Sequence, residues 1–326
     1  MNVRASTSAR RRGGGNALHE RPIGRGLDSF RAYWKYKYLT LLFLPAAIYY
    51  VVFHYVPIYG VLIAFKNYKF SLGILGSPWV GLDHFRDLFA SGGIWPVFRN
   101  TVIISFYKLV FGFPAPIAFA ILLNEIRLAV FKKAVQTISY FPHFLSWVVL
   151  GGLAMQFLSP SIGPVNIVLQ AFGLQPIYFL ADAGWFRSVL VATDIWKELG
   201  WGTIVYLAAI TGVNPELHEA ATVDGANRYH RIRFITLPAM APVITIMLIF
   251  AIGRLINDDF DQVFNLYNPA VMEVGDVLST YTYRMGLVNM EYSFATAVGL
   301  FKNVIAFALV LTANAAAKKF SEYGLW

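Results

Sequence analysis

Asp194, Lys197, Glu198 and Trp201 stand at i, i+3, i+4 and i+7, which puts two carboxylates, an ammonium and an indole on one face of a helix. Lys108, Arg254 and Lys302 interrupt other apolar stretches. A charge at membrane depth is costly, so such residues pair with one another or face a cavity. Two chemistries fit this face. Asp194 or Glu198 can form an internal ion pair with Lys197 or with Lys108, or the group can line a path for a polar solute. A proton relay through the two carboxylates, as in an ion-driven secondary transporter, is the alternative class. Arg254, close to the end of its stretch, can instead snorkel toward the headgroups.

Several chemistries are absent. No Gly-Lys dipeptide occurs, so there is no GxxxxGK[ST] phosphate loop and the chain cannot itself be a nucleotidase. His54 and His143 lack an H-E-x-x-H setting or a catalytic partner at useful spacing and read as packing or interfacial residues. With zero cysteines there is neither a disulfide framework nor a thiolate metal site.

A second constellation is polar throughout: "ELHEAATVDGANRYHRIRFITLP", residues 216–238. Asn214 can cap a helix and Pro215 suits its first position, where a missing N–H costs nothing. Leu217, Ala220 and Ala221 make a short apolar stripe, and Glu216 and Glu219 lie where the helix dipole favours carboxylates. Gly225 ends that helix, and a second amphipathic piece runs to Pro238, which opens the next apolar stretch. Small side chains at 220 and 221 let another surface approach, with Glu219 offering a charged hydrogen bond beside them. Lipid is an equal alternative, because Arg228, Arg231 and Arg233 could lie near anionic headgroups.

The elements that must carry these groups are membrane helices. The 326 residues are 57% hydrophobic, 16% aromatic and only 14% charged, too apolar for a soluble protein of this length. Leu39 to Phe65 and Ala134 to Ala181 contain no Asp, Glu, Lys or Arg. With about 20 apolar residues needed per crossing, six spans are expected at 39–65, 101–123, 137–158, 185–210, 238–256 and 293–317. Pro45, Pro57, Pro114, Pro116 and Pro142 mark kinks that a bundle tolerates. No inverted internal repeat is visible.

The formal charge of +9 reflects topology and lipid rather than nucleic acid. Nine basic residues precede residue 39, and Arg127, Lys132, Lys133, Arg228, Arg231, Arg233, Lys318 and Lys319 fall on the same side of the six-span drawing. The opposite loops carry only Lys66, Lys69, Arg86, Arg99 and Arg284. The positive-inside rule then puts both termini and the 214–238 loop in the cytoplasm. Residues 1–34 are expected to be a basic, disordered cytoplasmic tail. Its "ARRRGGGNALHE" is similar to a twin-arginine signal but lacks an apolar region directly after it. Residues 35–326 form the membrane domain.

The polar segment resembles the EAA loop of ABC importer permeases: Glu219-Ala220-Ala221, then Gly225, then Ile235, Leu237 and Pro238 match that pattern at every position. "WVGLDHFRDLF" at 79–89 followed by "NT" at 100–101, "SYFPHFLSWVV" and "DIWKELGW" are similar to carbohydrate-uptake permeases of the maltose-importer type over roughly residues 38–326. Within that group the likeness extends to importers of acidic polysaccharide fragments such as alginate. The resemblance implies an all-α, six-helix type I permease bundle in the bacterial inner membrane that is not an enzyme. It implies that Leu217, Glu219, Ala220, Ala221, Asp224 and Gly225 dock on an ATPase. The expected partners are a second permease subunit, two cytoplasmic ABC ATPase subunits and an external solute-binding protein. The chain needs no cofactor of its own, because ATP-Mg belongs to the ATPases. Lys108, Asp194, Lys197, Glu198, Trp201 and Lys302 become candidate lining for a sugar path, with aromatic surfaces for pyranose faces. The surplus of cations inside the spans suits a carboxylated sugar.

Overall fold

A computed structural model describes residues 36–90, 92–256 and 260–320. The expected tail, residues 1–34, and the acidic Asp258 and Asp259 of an expected external loop lie outside these. Two compact units meet in sequence at Tyr59 and Gly60. In the first, helix α1 begins at Lys37–Tyr50 and continues through a π turn at Val51–Tyr55 to Val56–Ile58.

Within the second unit, α2 is Asp83–Ala90, α3 Ile94–Glu125, α4 Ala129–Phe144 and α5 Trp147–Phe157. Then come α6 (Pro164–Ala171), α7 (Ala183–Thr211), α8 (Pro215–Val223) and α9 (Arg228–Gly253). Helix α10 is Phe260–Leu266, and α11 is Leu278–Tyr283 continued as a π turn at Arg284–Val288. Helix α12 is Tyr292–Phe320. The only ladder pairing among the described residues is an isolated bridge between Lys66 and Trp79.

Prolines explain three of the π turns. Those at Val51–Tyr55, Lys108–Gly112 and Ile232–Thr236 end two residues before Pro57, Pro114 and Pro238. A proline ring collides with the carbonyl four residues back and gives that carbonyl no N–H. In each case the carbonyl concerned lies inside the widened turn, so the helix continues past the proline. This corrects the expectation that Pro238 opens a new helix. The second amphipathic piece and the fifth span are one helix of 26 residues, Arg228–Gly253.

The third expected span, 137–158, is not straight. Helices α4 and α5 meet at 110° across Leu145 and Ser146, which are both extended. Ser146 then caps α5 by accepting a hydrogen bond from the Val149 N–H. Charge-free composition reports hydropathy and not direction, so the bend was invisible in it. By length and apolarity four described helices can cross a membrane, or five if the bent pair is one crossing. The fourth expected span, now α7, is 29 residues long. Its Arg187, Asp194, Lys197 and Glu198 remove it from that uniformly apolar class.

Helix α7 is nonetheless the centre of the second unit. Phe186 and Leu190 sit in a core with Val263, Leu266, Val271 and Val277, while Tyr206 and Ile210 pack with Ala120 and Met240. Close approach depends on glycine. A Cβ at Gly200 would lie 2.2 Å from the Ser139 carbonyl oxygen, and one at Gly275 would lie 2.3 Å from Phe186. A third core joins Leu88, Ile94, Val97, Leu278 and Val298, tying α2 and α3 to α11 and α12.

Candidate functional site

The polar segment folds as its residues dictate. Asn214 Oδ1 accepts from the Glu216 N–H at 3.1 Å, and Pro215 occupies the first turn. At the other end the Ala226 N–H reaches the Ala221 carbonyl at 2.8 Å and the Gly225 N–H reaches that of Thr222 at 3.1 Å. This is a Schellman motif, with Gly225 at φ +80°. Asn227 immediately caps α9 by accepting from the His230 N–H. The resulting α8 has no buried residue: Leu217, Glu219, Ala220, Asp224 and Gly225 are exposed and Ala221 is half-buried. Arg231 donates to Thr222 Oγ1 at 3.1 Å, bracing α8 against α9. Arg228 lies 3.9 Å from Glu125 at the end of α3, so the 124–136 turn and the 214–238 loop share one end of the bundle.

Of the ion pairs expected on the α7 face, the structure makes Lys108–Asp194 and sets Lys197 and Glu198 among other partners. Lys108 pairs with Asp194 at 3.2 Å and also donates to Gln262 Oε1. The fully buried Gln262 in turn donates to the Leu190 carbonyl at 2.7 Å and to Thr193 Oγ1 at 2.8 Å. Residues 257–292 were expected to be an external loop, yet α10 from that stretch reaches the bundle and completes this network. Among the described residues Lys197 takes no carboxylate. Its ammonium donates to the carbonyls of His143 at 2.9 Å and Leu145 at 2.6 Å, at the break between α4 and α5. That break frees carbonyls from helical bonding, and a 9% exposed lysine satisfies two of them.

Glu198 accepts from His143 Nδ1 at 3.0 Å, and the His143 ring lies flat on Trp201, 4.5 Å between centroids and 2° from parallel. Glu198 and Trp201 stay accessible at this surface. His143, expected to be a packing or interfacial residue, is thus brought into contact with the candidate residues Glu198 and Trp201; its place in "FPHF", immediately before the break, was the available signal. Lys302 lines a cavity between α10, α11 and α12. Arg254 is exposed where α9 ends, in keeping with snorkelling. The cations of the spans are thus distributed and do not form one positive chamber.

One charged residue of α7 escaped the sequence reading. Arg187 donates to Asn100 Oδ1 at 2.9 Å and to the Val274 carbonyl at 3.2 Å. Asn100, only 1% exposed, also donates to the carbonyls of Glu273 and Asp276, and Thr101 Oγ1 accepts from the Leu278 N–H at 2.9 Å. The "NT" pair is therefore a clamp between α3 and the 273–278 turn. Close by, Arg284 donates to the Asp276 carboxylate at 2.6 Å, and this bond holds the guanidinium above its usual range despite partial burial.

Residues 112–317 match the family described as "Binding-protein-dependent transport system inner membrane component". The polygalacturonan/rhamnogalacturonan transport system permease protein YteP of Bacillus subtilis (strain 168) is 46% identical over 290 residues, covering 89% of this chain and 90% of that protein. A crystal structure of a bacterial ABC transporter involved in the import of the acidic polysaccharide alginate contains a chain 41% identical to this one. That chain superposes with a TM-score of 0.83 over 90% of this chain and 99% of its own length. A second crystal structure, of the bacterial alginate ABC transporter in complex with an alginate pentasaccharide-bound periplasmic protein, gives 41% identity and the same TM-score over 91% and 99%. The chain belongs to the inner membrane components of binding-protein-dependent transport systems, the permease subunits of ABC transporters.

Proposed function

We propose that this chain is one of two permease subunits of an ATP-driven importer of oligosaccharides and polysaccharide fragments, carboxylated ones in particular. The observation that carries this reading is the 41% identity and 0.83 TM-score to a chain of the alginate transporter, over nearly the whole of both chains. The polygalacturonan permease relative supports the same substrate class. In this reading the chain crosses the bacterial inner membrane six times with both termini in the cytoplasm, and α7 is the crossing whose charges the bundle shelters. A second permease completes the path, two ABC ATPases bind below, and a periplasmic solute-binding protein delivers the sugar to the 66–100 and 257–292 segments.

The chemical energy comes from ATP-Mg held by the ATPases. This chain's part is mechanical: the exposed α8 presents Glu219, Ala220 and Leu217 to the ATPase surface, and Asp224 and Gly225 set the turn behind them. Asp194, Lys108, Glu198 and Trp201, joined by His143, line the path; Lys197 holds the α4–α5 break in register for them.

Glu219→Lys tests the docking role. Glu219 is exposed and makes no described side-chain bond, so stability should change by no more than about 0.5 kcal/mol. The complete transporter carrying this change should assemble, or retain its ATPases weakly, and hydrolyse ATP without import. Normal assembly with normal import would refute the docking role. Import that survives ATP depletion but stops on collapse of the membrane potential would refute the ATP-driven reading in favour of an ion-driven carrier.

A further inference from the structure

The apolar helical run Lys37–Phe65 is long enough to cross a membrane, and the residues that follow it, 66–82, stay apolar outside it. Phe70 is 87% exposed and Leu75 80%, and Leu72, Trp79 and Leu82 are exposed as well. The same stretch holds Lys66 and Lys69 but no Asp or Glu. Its backbone is tied internally. Lys66 and Trp79 form an antiparallel bridge, the Asn67 N–H donates to the Pro78 carbonyl at 2.9 Å, and the Val80 N–H donates to that of Phe65 at 2.9 Å. At the tip the Lys66 ammonium folds inward and donates to the carbonyls of Ile74 at 2.8 Å and Leu75 at 3.0 Å. Buried Ser77 donates to the Gly73 carbonyl at 2.6 Å and accepts from the Lys69 N–H at 3.0 Å. Water satisfies such groups in a solvated loop; satisfying them with side chains suits a hairpin that meets a less polar medium.

The hairpin is rooted beside the ends of two membrane-length helices. Trp79 stacks on Phe65, the last residue of the first run, with centroids 5.8 Å apart and planes 10° from parallel. Ser293, in the first turn of α12, accepts from the Tyr68 N–H at 2.9 Å and donates to the Lys66 carbonyl at 2.6 Å. Tryptophan, tyrosine and lysine beside exposed Phe and Leu, at the point where hydrocarbon gives way to headgroups, make an interfacial composition. Polarity changes immediately afterwards, since α2 opens with Asp83 and exposes Arg86 and Asp87. A binding protein that docks and leaves would return Phe70, Leu72, Leu75, Trp79 and Leu82 to water in every cycle. A bilayer is a permanent neighbour. We infer that the 66–82 hairpin is an interfacial anchor that lays Phe70, Leu72 and Leu75 in the lipid headgroup layer, with Lys69 toward the phosphates. Of the 66–100 segment, the polar surface of α2 is then the part left for a protein outside the membrane.

The inference needs only that the chain is a membrane component, so it stands or falls apart from the choice of sugar. The sequence has no cysteine, which makes single labels unambiguous. Phe70→Cys, Leu75→Cys and, as an aqueous control, Asp87→Cys are each given a fluorophore in the complete transporter, with any cysteines of the partner subunits replaced. The transporter is placed in vesicles of phosphatidylethanolamine and phosphatidylglycerol. Lipids carrying a nitroxide about 5–10 Å below the phosphates, the depth of interfacial apolar faces, should quench most of the fluorescence at 70 and 75. Iodide in the buffer should quench the label at 87 and spare the other two, and adding the binding protein should leave the signals at 70 and 75 unchanged. Labels at 70 and 75 that iodide reaches until the binding protein is added would overturn the anchor in favour of protein docking. Labels shielded from both quenchers would overturn it in favour of burial against another subunit.

Discussion

Removing either half of the Lys108–Asp194 pair should destabilise the protein, and removing both should restore it. The two groups lie 3.2 Å apart with side chains 16% and 17% exposed. At that distance the attraction is about 5 kcal/mol at an effective dielectric of ~20, most of it offset by desolvation. Breaking such a pair from one side costs about 3–5 kcal/mol, whereas replacing both partners with apolar residues of similar size is often neutral. Lys108→Met also removes the donor to Gln262, and Asp194→Leu removes the acceptor on α7. Each single variant should therefore melt several degrees lower than the wild type in detergent, and Lys108→Met/Asp194→Leu should melt higher than either. Uptake separates packing from a role in the path. With polar lining lost, the double variant should regain stability but not transport. A double variant that melts no higher than the worse single variant would refute the pairing; one that transports at the wild-type rate would refute the lining role.

Gly200→Ala would place a methyl 2.2 Å from the Ser139 carbonyl oxygen, forcing α4 and α7 apart at about 1–3 kcal/mol. Gly152→Ala, with nothing within 4 Å, should leave the melting temperature of the purified complex level or slightly raised. Asn100→Ala abandons two backbone carbonyls and Arg187 in a buried place. It should cost about 2–4 kcal/mol, seen as a lower melting temperature and faster deuterium exchange at 273–278.

What was legible in the sequence was local. Asn214, Pro215 and Gly225 act on groups within a few residues of themselves, and the structure uses each as its chemistry predicts. The second half of the segment was misread because Pro238 signals a break only where the backbone cannot widen. The partners of Lys197 were hidden for another reason: the carbonyls it satisfies lie 52 and 54 residues away, exposed by a bend that hydropathy does not register. Arg187 stood inside an expected span and could have been flagged as a charge needing a partner, but nothing in its spacing pointed to Asn100. Three charges on one helix face showed that α7 matters, while their division between an ion pair, a carbonyl clamp and a bond to a stacked histidine is a product of folding.

The uninterrupted helix Arg228–Gly253 acts as a rod. Its 26 residues span about 39 Å, so a tilt of about 10° pivoting at one end sweeps the other through roughly 7 Å. The π turn absorbs Pro238 without parting the helix, and the helical run also continues through Pro242, so a tilt at the solvent-facing end is carried toward the far end. The turn is placed instead at Gly225–Asn227, outside the rod, where the chain leaves α8 through a single left-handed glycine and Arg231 ties α8 to the shaft.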